Sequence, residues 1–304
     1  MATMRELSAR IRSVQDTMKI TNAMYMISST KLHKARREMD NNSPYFLALQ
    51  KMLAHILVSL PEIDHPYLDL RPEKKGKNRV RAIVVISGDK GLAGAYNHNV
   101  LRLVESMLSG PEQTLLYVVG EVGRSYFASR RIHMEGQFRY TSQNPTLHRA
   151  RVISEKLLED FREGAVDEVD LVYTTMPNSI TSVPAVMPLL PLRKKDVLSR
   201  LPKNIKIPEE ELNFQPSPQS ILDNMVPDLL VGYVYSALVD SYCSEQNDRM
   251  MAMDAANRNG QEMIRTLSME YNRVRQSAIT QEITEVIAGA KAQKKKKKQR
   301  RPEG

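Results

Sequence analysis

The residues best placed to do chemistry are Ser87-Gly88-Asp89-Lys90-Gly91-Leu92-Ala93-Gly94, a glycine-rich run holding one carboxylate and one ammonium. Backbone N–H groups of such a turn, opening into a helix, can cradle a phosphate. The run lacks the Gly-Lys-Ser/Thr ending of a P-loop and the G-x-G-x-x-G spacing of a dinucleotide site. It therefore reads first as a tight structural turn facing a partner. The histidines at positions 33, 55, 65, 98, 133 and 148 show no metal-ligand spacing. There is no His-Glu-x-x-His, no paired cysteine, no EF-hand loop and no nucleophile elbow. The sequence predicts no catalytic residue, no metal and no cofactor.

The elements around this turn are legible from period. Met4, Leu7, Ile11, Val14, Met18, Thr21, Tyr25, Ser28, Leu32, Ala35 and Met39 recur at alternating steps of three and four. That is about five unbroken heptads, the pattern of a coiled-coil helix. It continues through Phe46, Leu49, Leu53, Ile56 and Leu60 and stops at Pro61, with a bend expected at Pro44. Then the period changes. Val80–Ser87, Leu115–Val119 and Val169–Thr175 are short, β-branched apolar runs, separated by amphipathic segments near 97–109, 121–130 and 146–163. This alternation predicts a small parallel α/β domain over 76–201. Residues 183–193 offer a further strand, weakened by three prolines.

A proline-rich linker is expected over 202–218, and a second long helix over 219–292. A helix of that order is roughly 100 Å long and needs a partner. The helix over 1–60 is the available one, antiparallel, with the C-terminal helix overshooting it as a single-helix tip. The fold class is thus α+β or α/β: a long antiparallel coiled coil of the two terminal helices with a small Rossmann-like domain inserted between them.

Charge is unevenly placed. Residues 291–304 hold eight basic side chains against one Glu, so that stretch accounts for +7 of the net +9. A disordered basic tail is expected over 293–304, and the body of the chain is nearly neutral. One cysteine, Cys243, forms no internal disulfide and fits a reducing compartment. No apolar run reaches the length of a membrane span, and the N-terminus lacks a signal-peptide core.

Two surfaces stand out. Ile279, Ile283, Val286 and Ile287 line one edge of the C-terminal helix with few charges between them. From Ile20 to Thr30 there is no charge at all, although Ile20, Ala23, Met24 and Ile27 lie off the heptad seam. This collar packs either on the α/β domain or on another protein.

With these residues in view, the chain resembles the gamma subunits of F-type ATP synthases. Ile279-Thr280, Glu282, Glu285, Gly289-Ala290 and Ala292 fit the family signature, as do Tyr271-Asn272-Arg273, Arg275-Gln276, Ser244-Glu245 and Arg249-Met250-Met251-Ala252-Met253. At the other end Arg10-Ile11, Ser13-Val14, Thr17, Lys19-Ile20-Thr21, Ala23-Met24 and Lys31-Leu32 match, and Gly91-Leu92, Gly94 and Asn97 match in the turn. Tyr25 departs from a common acidic residue, Ser28-Ser29 from Ala-Ala, and the basic tail is an unusual addition; the paired-cysteine insert of chloroplast members is missing.

The resemblance implies a non-catalytic rotor subunit, one copy per complex, coupling ion flow (protons in the usual case) through the membrane ring to ATP synthesis at the beta subunits. Its partners would be the alpha, beta and epsilon subunits and the c-ring, with no specific nucleic acid. Its place would be peripheral, on the cytoplasmic side of a bacterial cell membrane. Carried over residue by residue, Met24 and Arg249 would meet beta lever loops, and Arg275, Gln276 and Thr280 beta catch loops. Ile279, Ile283, Val286 and Ile287 would form an apical bearing. Two other readings remain at this point: a nucleotide-binding protein built on the α/β domain, and a basic-tailed coiled coil that binds nucleic acid.

Overall fold

The computed structural model describes residues 3–74, 78–110, 113–136, 138–178, 181–202, 205, 207 and 214–299, with side chains described to residue 292. The chain divides into two compact units, Met1–Tyr25 with Met253–Gly304, and Met26–Ala252.

Two helices dominate, α1 (Met4–Ser59) and α6 (Pro218–Gln299). The first opens on a capping box: the Thr3 hydroxyl accepts from the Glu6 N–H at 3.3 Å, and the Glu6 carboxylate accepts from the Thr3 N–H at 2.8 Å. It runs through Pro44 and ends before Pro61. The Ser217 hydroxyl accepts from the Ser220 N–H at 3.1 Å, and Pro218 opens α6, where its missing N–H costs nothing.

In the first unit, Leu7, Met253 and Leu267 are buried. Thr21 hydrogen-bonds Asn257, and a Cβ on Gly260 would lie 2.7 Å from Met18 Cγ. The pairs 21–257 and 18–260 run in opposite senses, so the helices are antiparallel here. Met4 lies beside Tyr271, Arg275 and Ile279. From Arg275 to Ala292 every residue is exposed.

The second unit contains a four-stranded sheet in the order β2-β1-β3-β4, formed by β1 (Val80–Ile86), β2 (Gln113–Val119), β3 (Glu168–Thr175) and β4 (Val183–Leu190). β1 is parallel to both β2 and β3. Three helices connect the parallel strands: α2 (Tyr96–Leu108), α3 (Glu121–Ser129) and α4 (Leu147–Arg162). The faces follow the two-residue period. Ile83, Val85, Leu116 and Val118 pack with Val100, Val104 and Phe127 of α2 and α3. Ala82, Val84, Ile86 and Leu171 face α4, α1 and the stretch of α6 from Leu222 to Cys243. A Cβ on Gly232 would fall 2.3 Å from the Phe46 ring, so the two long helices approach closely in this unit as well.

Two expectations are corrected. The sheet is mixed, because β4 is antiparallel to β3. The connection over residues 176–182 is too short for a parallel crossover, which takes about a dozen residues. β4 is also an edge strand, where Pro184 and Pro188 are tolerated. The C-terminal helix continues through Gln299, so the tail expected to be disordered from 293 is helical that far. Its Lys and Gln residues are good helix formers; residues 300–304 lie outside the description. Part of the expected linker, 203–204, 206 and 208–213, does too. A short helix, α5 (Lys194–Ser199), was not foreseen.

Candidate functional site

The carboxyl ends of parallel strands, beside the point where the strand order reverses, are where α/β sheets bind ligands. In this sheet that place lies above β1 and β3, and the glycine-rich turn follows β1. The groups at the start of the turn and at the start of α3 are already paired. The Gly88 N–H donates to Asn97 Oδ1 at 2.8 Å, and the Gly88 carbonyl accepts from the Val122 N–H at 3.0 Å. At the start of α3 the Glu121 N–H donates to Asp89 Oδ1 at 2.9 Å and the Gly123 N–H to Ser87 Oγ at 3.0 Å. A helix N-terminus attracts anions through its free N–H groups and its dipole. Here Asp89 supplies the negative charge and the protein fills the donors. Asp89 also accepts from the Ser142 N–H at 3.1 Å, the Gln143 N–H at 3.3 Å and the Thr141 hydroxyl, fastening the loop before α4.

On one side Gly120 approaches Ser87 closely. Gly120 has φ +95°, and a Cβ there would fall 2.2 Å from the Ser87 carbonyl oxygen. From the other side comes α6. Arg249 donates to the Gly91 carbonyl at 3.0 Å and to Glu245 Oε1 at 2.5 Å. Glu245 is fully buried and Arg249 is 8% exposed. Burial pushes the Glu245 carboxyl above its usual range, and the hydrogen bond and charge of Arg249 offset this only in part. Through Arg249 the crevice joins α6 to the turn after β1. Lys90 and Leu92 of the turn face outward, Leu92 66% exposed at φ +64°.

The other residues singled out in the sequence lie on exposed helix surfaces. Arg275, Gln276 and Thr280 are exposed, and the Thr280 hydroxyl donates only to the Gln276 carbonyl of its own helix, at 2.9 Å. Ile279, Ile283, Val286 and Ile287 are exposed at 44%, 55%, 72% and 51%. Met24 is half-buried, while Ile20, Met26 and Ile27 of the collar are exposed. Arg249 is not on an open surface with the rest; it faces inward, onto Glu245 and the turn.

Sequence reading missed Asp89 and Glu245 as organising groups. Glu245 and Arg249 stand at i and i+4, the favourable order for a helical pair. The run Ser244-Glu245-Gln246-Asn247-Asp248 ends the apolar stretch of the helix that begins at Leu229. Both signals were present.

Among the described residues, no group of three or more His, Cys, Asp or Glu side chains could hold a metal, and no helix is long and apolar enough to cross a membrane. His65 is structural: its Nδ1 accepts from the Tyr67 N–H at 3.3 Å and its Nε2 lies 3.3 Å from Asp223.

Comparison with known proteins gives a consistent picture. A family model described as ATP synthase matches residues 3–293. The ATP synthase gamma chain of Ruminiclostridium cellulolyticum is 40% identical over 294 residues, covering 95% of this chain and 98% of that one. The gamma chain of Acetivibrio thermocellus is 39% identical, covering 97% and 100%. A sodium-ion-specific gamma chain of Acetobacterium woodii is 35% identical, covering 95% and 98%. Among solved structures, a chain of the Euglena gracilis mitochondrial ATP synthase superposes with a TM-score of 0.65 at 16% identity, covering 97% of this chain and 96% of its own. It shares the fold. The basic residues from Lys294 onward lie beyond the matched span.

Proposed function

We propose that this chain, which belongs to the family of ATP synthase gamma chains, is the rotor shaft of an F-type ATP synthase. One copy would stand on the axis of a ring of three alpha and three beta subunits. The beta subunits carry the chemistry. Each meets a different side of an asymmetric shaft, so turning the shaft favours open and closed beta states in sequence and couples rotation to nucleotide affinity. The α/β domain would rest against the epsilon subunit and the c-ring, peripherally on the cytoplasmic face of a bacterial membrane.

The observation that carries this reading is the exposed helix from Arg275 to Ala292, with Ile279, Ile283, Val286 and Ile287 on its surface. A large uncovered apolar surface marks an interaction site. A turning bearing must avoid fixed ion pairs, because breaking a buried one costs several kcal/mol, and an apolar edge meets that demand. Arg275, Gln276 and Thr280, exposed just before this edge, suit contact with beta catch loops. Met24, half-buried in the uncharged collar, suits the lever loops. Arg249 would reach beta through the Lys90–Leu92 turn that it holds.

The test is ATP hydrolysis by matched alpha and beta subunits with and without this chain, with gel filtration of the same samples. The expected result is a complex of three alpha, three beta and one copy of the chain with raised sustained turnover. No association and no change in rate would overturn the reading. In the full complex, Met24→Lys is expected to add an ion pair with beta acids and lower the ATP made per ion; an unchanged yield would remove Met24 from the interface.

A further inference from the structure

Between Leu222 and Val239, α6 is held to the sheet and to α1 by apolar side chains. Above that stretch the contacts change character. Ser241 Oγ accepts from the Thr174 N–H at 3.1 Å, and Ser244 Oγ donates to the Thr174 carbonyl at 3.2 Å. Asp248 Oδ1 accepts from the Ser182 hydroxyl at 2.6 Å. Glu245 pairs with Arg249, which donates to the Gly91 carbonyl. Ser241, Ser244 and Glu245 are fully buried.

We propose that this polar belt is a torsional key between the α/β body and the shaft helix. It fixes the angle of α6 about its own axis, so that twist applied to the body reaches the shaft without slip. Ser241 and Glu245 are then positioning residues for the rotary reaction, an inference that rests on the rotor reading above. Apolar contact energy follows the area buried and is non-directional, so the lower stretch resists separation but opposes rotation weakly. Hydrogen bonds weaken steeply when bent or stretched. Residues 241, 244, 245 and 248 stand at i, i+3, i+4 and i+7, on one helix face. They meet the end of β3 and the β3–β4 connection, while Arg249 extends the grip to the turn after β1. At a side-chain radius of about 5–6 Å, a slip of roughly 20° displaces the contact atoms by about 2 Å, enough to break the set together. A buried ion pair is a poor source of net stability; angular fixation is a role it performs well.

The test is torsional stiffness in the assembled complex. Alpha and beta subunits without cysteine are fixed to a surface, and a rod is attached through Ser109→Cys, exposed at the end of α2 on the body. Cys243 is buried and stays unlabelled. With rotation stalled, Glu245→Gln and Ser241→Ala are expected to widen the angular variance of the rod by at least twofold. The same rod attached through Lys34→Cys, exposed on α1, reports the shaft alone and is expected to show no change. Hydrolysis by the complex should stay within twofold. If either variant fails to assemble, Ser182→Ala, which removes one hydrogen bond, carries the test with a smaller widening in the same direction. Unchanged variance at the body in the variants that assemble, or equal widening at both attachment points, overturns the key. Failure of the unsubstituted chain to assemble or turn overturns the rotor reading instead.

Discussion

Two stretches of α6 invert the usual distribution of polar and apolar residues. Ser241–Arg249 is polar and almost wholly buried, whereas Ile279–Ile287 carries its apolar side chains in the open. Burying polar groups is costly unless they find partners; Ser241, Ser244, Glu245, Asp248 and Arg249 have them, while the Tyr242 hydroxyl and Gln246 Nε2 are buried without one. What that cost brings is direction. The exposed edge has the opposite property: apolar surface attracts any complementary surface without fixing its angle. One region suits a joint that must not move, the other a contact that must slide.

Unfolding of the isolated chain can break this contrast, starting where the effect is largest. Glu245→Ala leaves Arg249 buried without its carboxylate, and we expect a loss of about 3–5 kcal/mol in urea unfolding; a loss below about 1 kcal/mol would mean that water reaches the pair. Asp240→Asn should act in the other direction. Burial raises the Asp240 carboxyl from 3.8 to about 6, with Arg36 opposing the shift. The cost of ionising it in the fold is absent below pH 3.8, develops as the pH rises from there to about 6 and is complete above that. The variant is thus expected to be more stable by up to roughly 3 kcal/mol at pH 8, and equal to the parent near pH 4. A gain independent of pH would reject this account. Ser241→Ala strands the Thr174 N–H and should cost about 1–3 kcal/mol. Val286→Ser should change stability by no more than about 0.5 kcal/mol, yet lower sustained hydrolysis when the chain is assembled with alpha and beta subunits. A large stability loss there would mean that the edge packs within the chain.

Much of this was legible beforehand because it depends on period. Among the eleven seam positions from Met4 to Met39, only Met4 is exposed, and the three parallel strands fall where the β-branched runs were. The direction of β4 was missed because three prolines drew attention away from the short connection that decides it. The joint was missed for another reason. Asp89 and Glu245 are far apart in the chain, and only the crossing of α6 over the ends of β1 and β3 brings the turn and Glu245 together. Local pattern marks Glu245–Arg249 as a helical pair but does not say what the pair holds. The resemblance marked the position of Arg249, and the fold adds what its side chain holds, Glu245 and the turn.

The filled crevice has a consequence in terms of linkage. Asp89 stands at the N-terminus of α3 as a covalently attached anion, so its occupancy does not vary with the composition of the surroundings. A ligand stabilises a fold in proportion to the logarithm of its concentration; a built-in one contributes the same amount always. The stabilisation that Asp89 gives this end of the sheet should therefore be the same whether the cell is rich or poor in ATP, a useful property in a part that must transmit the same torque while the nucleotide pool it serves rises and falls.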